Sequence, residues 1–402
     1  AAASPTRDFP PRSGDDHYVL YTGGTTGRPK GVVWRQEDIF FAALGGGNPG
    51  GAPIATPEEI GPGAQRNRAQ RIGAFLPPGD PGPEQFVALA LGPLMHASGQ
   101  WSVFGALLGG GAAVLYDAGP MDYDRVLRLI EREHVVALNV VGDTNARPLV
   151  ETLEAAPRAY DTSSLRLLGS GGAILSRDVK ERLLRAIPSV LAIVEGMGSS
   201  EVPAQAVAVT TRDDTPRPTL SFAPKAETAV FDDELRAIAA GSGEVGRLAT
   251  RGRLPLRYHN DAEKTARTFV EVDGVRWSLP GDMATIDADG SIRVLGRGSL
   301  CINTGGEKVY PEEVEAVLKA HPQVADAIVV GAPDARYGER VVAVVAPRTA
   351  ADAPTLDALR AHCRDRLAGY KAPQAIVVVD AVRRSPAGKA DYPWAKTLAS
   401  SS

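Results

Sequence analysis

Between Phe86 and Gly196, short apolar runs alternate with segments of helical spacing: FVALAL, then Gln100 to Leu108, AAVLY, Tyr123 to Glu133, VVALNVV, Thr144 to Leu153, LRLLGSG, Arg177 to Ala186 and VLAIVEG. Apolar strands separated by amphipathic helices predict a mostly parallel sheet. From about Ala204 to Ile302 the helical spacing fades, and AVAVT, AETAVF, GRLATRG, VRWSL, MATI and IRVLG predict a smaller β-rich layer. Beyond Tyr310 the pattern changes again, to a helix over Pro311 to Ala320, strands over Ala325 to Val330 and Arg340 to Ala346, a helix over Leu356 to Leu367 and a strand over Gln374 to Val379. This is a compact α+β unit. The expected class is therefore α/β, with a large unit over residues 1–298 and a small one over 299–402.

Nearer the start, His17 to Leu20 and GVVW (Gly31 to Trp34) predict two strands, and Gln36 to Leu44 a short helix. Gly45 to Gln85, with GGGNPGGAP and LPPGDPGPEQ, reads as a long surface excursion holding one short helix around Gln65 to Arg71. No internal repeat is visible.

At 402 residues, 44% hydrophobic and 23% charged, the chain has room for two or more domains. Its formal charge of −4 lacks the concentrated basic field that a general nucleic-acid or membrane-surface role requires. The two cysteines, Cys301 and Cys363, have no metal-type spacing, so free packed thiols in a reducing cytoplasm are expected. No apolar run reaches the length of a membrane span, and AAASPTRDFPPRSGDD has no signal-peptide core, which again leads to the expectation of a cytoplasmic protein. That polar, proline-rich stretch reads as an interior linker.

Chemistry enters with YTGGTTGRPKG, Tyr21 to Gly31, which joins the first two predicted strands. Glycine is costly to order. Here glycines free backbone N–H groups to converge, three threonines add hydroxyl donors and Lys30 adds a charge, a set suited to a polyphosphate rather than to an ordinary turn. It is not G-x-x-x-x-G-K-[ST], because Pro29 separates Gly27 from Lys30 and a strand follows.

Further clusters follow strand ends, where α/β proteins bind ligands. PLMHASG places His96 there, although a lone loop histidine is more often structural. GSGGA, with Gly171, Gly172 and Ala173, lets a flat ring or acyl chain approach the backbone, or simply packs strand on helix. EGMGSSEV brings Glu201 together with two hydroxyls, and a hard cation such as Mg²⁺ takes one or two carboxylates alongside phosphate oxygens and water; a solvated turn glutamate is the plain alternative. SLPGDMATIDADG holds Asp282 after a tight turn, placed to accept from vicinal hydroxyls or merely to cap the turn. GRGSLCINTGGEKVYPEEVE reads as a hinge with Arg297 before it and a helix starting near Pro311 after it, and SPAGKADY carries Lys389 on a loop.

In this order the clusters resemble the adenylate-forming superfamily of acyl-CoA synthetases, acyl-adenylating domains and luciferases, most of all bacterial fatty-acyl and sterol-side-chain CoA ligases. YTGGTTGRPKG is similar to that family's phosphate loop, PLMHASG to its gate loop, MGSSE to its aromatic-glycine-x-threonine-glutamate segment, and GD at Gly281 and Asp282 to its ribose site. The last two clusters resemble its hinge and its catalytic-lysine loop. Met197 stands where the family has an aromatic residue, Ser299 where its hinge has aspartate or lysine, and Asn303 where a lysine is usual. Family members also carry a large segment before the phosphate loop, so the chain reads as a fragment.

The resemblance implies an α/β large domain with a mobile small domain, ATP and CoA as co-substrates, Mg²⁺, and an apolar carboxylic acid as substrate. It leaves homo-oligomerisation open. Thr22, Gly23, Gly24, Thr25, Thr26, Gly27 and Lys30 would hold the β- and γ-phosphates, and Met197, Gly198, Ser199 and Ser200 would line the nucleotide site. Glu201 would hold Mg²⁺, Asp282 and Arg297 the ribose, and Lys389 would bridge α-phosphate and carboxylate. His96 would gate the acyl site, and Gly305 and Gly306 would lie beside pantetheine. Three readings stand: an acyl-CoA ligase, an acyl-AMP ligase serving a carrier protein, and a non-catalytic binding remnant. WSVFGALL, Trp101 to Leu108, favours an apolar acid but also suits a core helix.

Overall fold

The computed structural model describes residues 11–22, 29–44, 82–117, 119–203, 205–214, 221–224, 227–385 and 388–400, together with positions 46, 76, 79 and 80. Gly23, Gly24, Thr25, Thr26 and Gly27 lie outside the described residues, as does the helix expected around Gln65 to Arg71.

The two early apolar runs pair as an antiparallel hairpin, β1 (His17–Thr22) and β2 (Lys30–Arg35), whose last pair sets Thr22 opposite Lys30. Helix α1 (Gln36–Ala43) follows. The alternating region folds as β3 (Val87–Ala90), α2 (Ala97–Leu108), β4 (Ala112–Leu115), α3 (Tyr123–Arg132), β5 (Ala137–Val140), α4 (Gly142–Ala155), β6 (Leu167–Gly171), α5 (Arg177–Ala186) and β7 (Ala192–Met197). Its five strands are all parallel, in the order β4-β3-β5-β6-β7. Leu89, Leu138, Leu149, Leu168, Leu183 and Ile193 fill the core against the helices, and each such burial is worth about 1.5–3 kcal/mol.

The β-rich region contributes β8 (Ala206–Thr210), β9 (Ser221–Pro224), β10 (Thr228–Phe231), β11 (Gly246–Arg251), β12 (Arg257–Tyr258), β13 (Phe269–Val272), β14 (Val275–Ser278), β15 (Asp282–Ile286) and β16 (Ile292–Arg297). It is not detached. β8 pairs antiparallel with β7, β9 joins β8 to β16, and the result is one sheet with thirteen strands among the described residues. A strand edge with unpaired N–H and C=O groups is readily satisfied by another strand, which is why this layer continues the parallel half instead of stacking on it. β12 instead pairs with β2, and around that contact Trp34, Tyr258, Ile39 and Phe269 make a small core of their own. Between β12 and β13 lies helix α6 (Ala262–Thr268), capped by the Asp261 side chain, which accepts from the Lys264 N–H. Its AEKTART sequence has no apolar stripe, so hydrophobic spacing does not announce it.

After a turn at Gly298–Leu300 the chain forms β17 (Ile302–Thr304), β18 (Glu307–Val309), α7 (Pro311–Lys319), β19 (Val324–Asp334), β20 (Gly338–Pro347), α8 (Leu356–Arg364), β21 (Ala375–Val378) and α9 (Tyr392–Ala399). The strands make a sheet of their own, termed the second sheet, which shares no strand with the large sheet or with the small β1-β2-β12 sheet. Both its faces are covered, one by α7 and α8 and the other by α9, so β19 and β20 read as continuous apolar runs. Helix α9 was not among the expected elements. Cys301 and Cys363 are free thiols. No helix among the described residues is long and apolar enough to cross a membrane.

Candidate active site

The carboxyl ends of β3, β5, β6 and β7 define one rim of the large sheet, and most of the singled-out residues lie on it. His96 is the residue before α2, its backbone N–H donating to Pro93 O at 3.0 Å. Gly171 closes β6, and Gly172 beyond it takes a φ of +84°, a conformation glycine adopts without strain, with Ala173 next. Met197 ends β7 and packs toward the core of Val230, Leu248 and Ala284.

The turn that follows aims Glu201. A Cβ at Gly198 would lie 2.4 Å from Pro203 O and 2.6 Å from Val202 O, so only glycine lets the chain fold back this tightly. Ser199 Oγ accepts from the N–H groups of Glu201 and Val202, each at 3.2 Å, and Ser200 O accepts from Trp34 Nε1 at 3.0 Å. Glu201 is thereby held at 6% exposure, with Tyr258 Oη donating to its Oε1. Burial and this carboxylate both push the Tyr258 pKa up, so the phenol stays a donor.

Asp282 and Arg297 face one another as cross-strand partners on β15 and β16, with Arg297 Nε 2.9 Å from Asp282 Oδ1. Arg297 Nη1 also donates to Pro280 O at 2.7 Å. Burial raises the Asp282 pKa; the guanidinium opposes that, and the Glu201 carboxylate adds to it. Against this pair comes Glu312 from α7, whose Oε1 accepts from the Arg297 N–H at 3.2 Å while its Oε2 is buried without a partner among the described residues. Its approach requires Gly296, where a Cβ would fall 2.0 Å from Oε2. Burial, followed by Glu315, pushes the Glu312 carboxyl up to about 8.

The loop bearing Lys389 reaches the same rim. A Cβ at Gly388 would meet Val141 Cγ1 at 2.9 Å and Thr144 Oγ1 at 3.0 Å, so this loop is pressed against the β5–α4 turn. Although Lys389 is partly open to solvent, burial and the positive charge of Arg297 lower its pKa, and Glu201 opposes them. The His96 pKa is lowered by burial and then by the charge of Lys389. His96, Glu201, Asp282, Arg297 and Lys389, from five separate segments, thus share one electrostatic neighbourhood.

Lys30 is linked to this neighbourhood through α6: its ammonium is paired with Asp261, and its charge acts on Lys264, which also feels Glu201 and Arg297. Gly305 and Gly306 are elsewhere, at the tip of the β17–β18 hairpin, with φ of +61° and +88°; a Cβ on Gly305 would meet only Tyr337, and one on Gly306 nothing within 4 Å. Four participants, Tyr258, Asp261, Lys264 and Glu312, were not singled out from the sequence. The one available signal for the first three is the dense run of polar residues in RYHNDAEK, which opens with β12 and runs into α6. No group of three or more His, Cys, Asp or Glu side chains that could hold a metal exists among the described residues. Glu201 alone therefore fits a hard cation only if phosphate oxygens and water complete its shell.

Residues 2–257 match the family model described as AMP-binding enzyme, and residues 313–389 match the AMP-binding enzyme C-terminal domain. The chain belongs to the AMP-binding enzyme family. It is 44% identical, over 98% of its length and 69% of the relative's, to a medium/long-chain-fatty-acid–CoA/3-oxocholest-4-en-26-oate–CoA ligase of Mycolicibacterium smegmatis. To a 3-oxocholest-4-en-26-oate–CoA ligase of Rhodococcus rhodochrous it is 42% identical over 98% of this chain and 69% of that one. Among solved structures, the amide bond synthetase McbA of Marinactinospora thermotolerans superposes with a TM-score of 0.77 at 27% identity, covering 99% of this chain and 72% of that one. The adenylate-forming fold of this AMP-binding enzyme accordingly has both a large mixed sheet and a smaller C-terminal sheet.

Proposed function

We propose that this AMP-binding enzyme activates an apolar carboxylic acid, a fatty acid or a sterol side-chain acid, with ATP and passes the acyl group to CoA. The observation that carries the reading is that Lys389, on the C-terminal unit, comes near enough to Glu201 and Arg297 at the rim of the large sheet to feel both charges, with Arg297 paired to Asp282. Two relatives at 42% and 44% identity, named as CoA ligases for such acids, support the substrate class. So does α2, the helix that follows His96, where Phe104, Leu107 and Leu108 are exposed while Val103, Gly105 and Ala106 are buried, leaving apolar surface along its second half.

A carboxylate is a poor acyl donor because its leaving group would be oxide. Attack of its oxygen on the α-phosphorus of ATP forms the acyl adenylate and expels pyrophosphate; the CoA thiol, losing its proton, then attacks the acyl carbon and expels AMP. The protein's part is to position these groups and stabilise developing charge. Thr22 to Lys30 would cradle the β- and γ-phosphates, Asp282 and Arg297 the ribose, and Lys389 the α-phosphate and the attacking carboxylate. Glu201 would hold Mg²⁺, which when bound neutralises phosphate charge. Residues 1–298 and 299–402 would act as two bodies, the second turning about the Gly298–Leu300 segment to withdraw Lys389 before CoA attacks, with Gly305 and Gly306 then beside pantetheine.

The test is carboxylate-dependent exchange of labelled pyrophosphate into ATP across a series of fatty and sterol acids, followed by mass analysis of product with CoA or a carrier protein as acceptor. Exchange with acyl-CoA formation is expected. Exchange with acylation of the carrier alone would replace CoA as acceptor, and absence of exchange with every acid would overturn the reading.

A further inference from the structure

Lys264 is half-buried in the first turn of α6, and its ammonium lies 4.3 Å from the centroid of the Tyr258 ring. That ring's hydroxyl donates to Glu201, so Lys264 and the carboxylate are joined through one rigid side chain. The Lys264 backbone N–H donates to Asp261 Oδ1 at 3.0 Å, and the second oxygen of Asp261 holds Lys30. Lys264 therefore stands between the lysine of the glycine-rich loop and the carboxylate at the sheet rim. Among the described residues no carboxylate oxygen comes within 4.0 Å of its Nζ, whereas Asp261 is engaged by Lys30 and Asp282 by Arg297. Four cations, Lys30, Lys264, Arg297 and Lys389, face three carboxylates, and the two nearest their own ion partners are unavailable to Lys264.

A half-buried ammonium laid on an aromatic face, instead of on an acid, keeps its donors for something that arrives later. The arrangement has a direction as well. Lys264 feels the charges of Lys30, of Glu201 and of Arg297, the partner of Asp282, and it is tied through Asp261 to the lysine that closes the glycine-rich loop, so a nucleotide with its ribose on Asp282 and its phosphate tail at that loop brings the tail to Lys264. We infer that Lys264 is a phosphate-binding residue of the ATP site, taking the β- or γ-phosphate beside Lys30, an inference that rests on the adenylate-forming reading above. In the protein alone, burial lowers the Lys264 pKa, Glu201 opposes this, and Lys30 and Arg297 lower it further. An incoming polyphosphate reverses that balance and fixes the charged form.

Calorimetric titration of the full chain with ATP and, separately, with AMP tests this, no carboxylic acid being added. Lys264→Met, which keeps the apolar stem on Tyr258, should weaken ATP by about 10- to 100-fold, as loss of a charge-assisted contact does, and change AMP affinity by less than about twofold. Lys264→Arg should recover most of the loss. AMP binding also reports that the variant is folded. Unchanged ATP affinity in Lys264→Met beside a wild type that binds both nucleotides, or equal weakening of ATP and AMP, overturns the inference alone. A wild type that binds neither nucleotide overturns the adenylate-forming reading and this inference with it.

Discussion

Tyr258→Phe removes one oxygen atom from the middle of the candidate site. The ring stays, so packing with Trp34 and Phe269 and the face beneath Lys264 are kept. What is lost is the hydroxyl that donates to Glu201, a carboxylate only 6% exposed. Hydrogen bonds to charged groups contribute about 1.5–3 kcal/mol, and a buried acceptor left without its donor forfeits most of that. The charges of Lys264 and Lys389 still favour the carboxylate from further away, which places the expected loss near the lower end, about 1.5–2 kcal/mol. Because the large sheet and the C-terminal sheet share no strand and have separate cores, a single unfolding free energy is ill-defined. Local opening is the better measure: hydrogen exchange of peptides covering Met197 to Val202 and Tyr258 to Thr268 should accelerate by about 10-fold or more. The same substitution in a Glu201→Ala background should accelerate them far less, since the partner is already gone, giving a coupling of at least about 1 kcal/mol. Equal acceleration in both backgrounds would show that the hydroxyl does not hold Glu201, and the account of how this carboxylate is aimed would fall.

Three further outcomes follow from other parts of the site. Lys389→Ala should slow carboxylate-dependent pyrophosphate exchange by about a hundredfold or more, yet leave CoA thioester formation from supplied acyl adenylate near the wild-type rate; equal slowing of both steps would place Lys389 in one fixed site instead of an alternating one. Glu312, raised from the ordinary carboxyl range to about 8, binds a proton more tightly folded than unfolded, so its contribution to stability is present at acid pH and is lost as pH rises through that value. Hydrogen-exchange protection of peptides covering Arg297 to Lys319 in the wild type, corrected for the intrinsic pH dependence of exchange, should therefore fall across the window between the ordinary glutamate pKa and about 8, and Glu312→Gln should flatten that fall; an unchanged slope in the variant would mean the carboxyl is not buried against Arg297 as described. Gly198→Ala sets a methyl group 2.4 Å from Pro203 O, and should destabilise the Glu201 turn by about 1–3 kcal/mol in local exchange, with an Ala at the open Gly196 as the control that does not disturb the backbone nearby.

The elements that the sequence announces well are those whose burial is repetitive. The helix expected over Arg177 to Ala186 and the strand AVAVT have the same limits in the structure, and the strands of the parallel half differ from expectation only at their ends, because an apolar run between polar helices has few other ways to be buried. Helix α6 and helix α9 are not announced by the sequence, for opposite reasons. The first is polar and held by the Asp261 cap, and the second, YPWAKTLA, is too short for its spacing to stand out, yet it closes one face of the second sheet through Tyr392, Ala395 and Ala399.

By itself, the sequence determined the order of most of the elements, the two main sheet-forming regions, the family, and the residue types that carry chemistry: a glycine-rich loop, a glutamate after β7, an aspartate opening β15, an arginine at the end of β16 and a lysine near the carboxyl end. These are local properties, readable from spacing and from side-chain type. Only the tertiary structure decided which of them meet. Tyr258 lies 57 positions from the glutamate it holds, Lys30 lies 231 positions from Asp261, and Glu312 reaches back 15 positions across a turn to Arg297. Such pairs are selected by the way β12 lies against β2 and α7 folds back on β16, where burial leaves each polar group few partners and the geometry of the sheet determines which one is near.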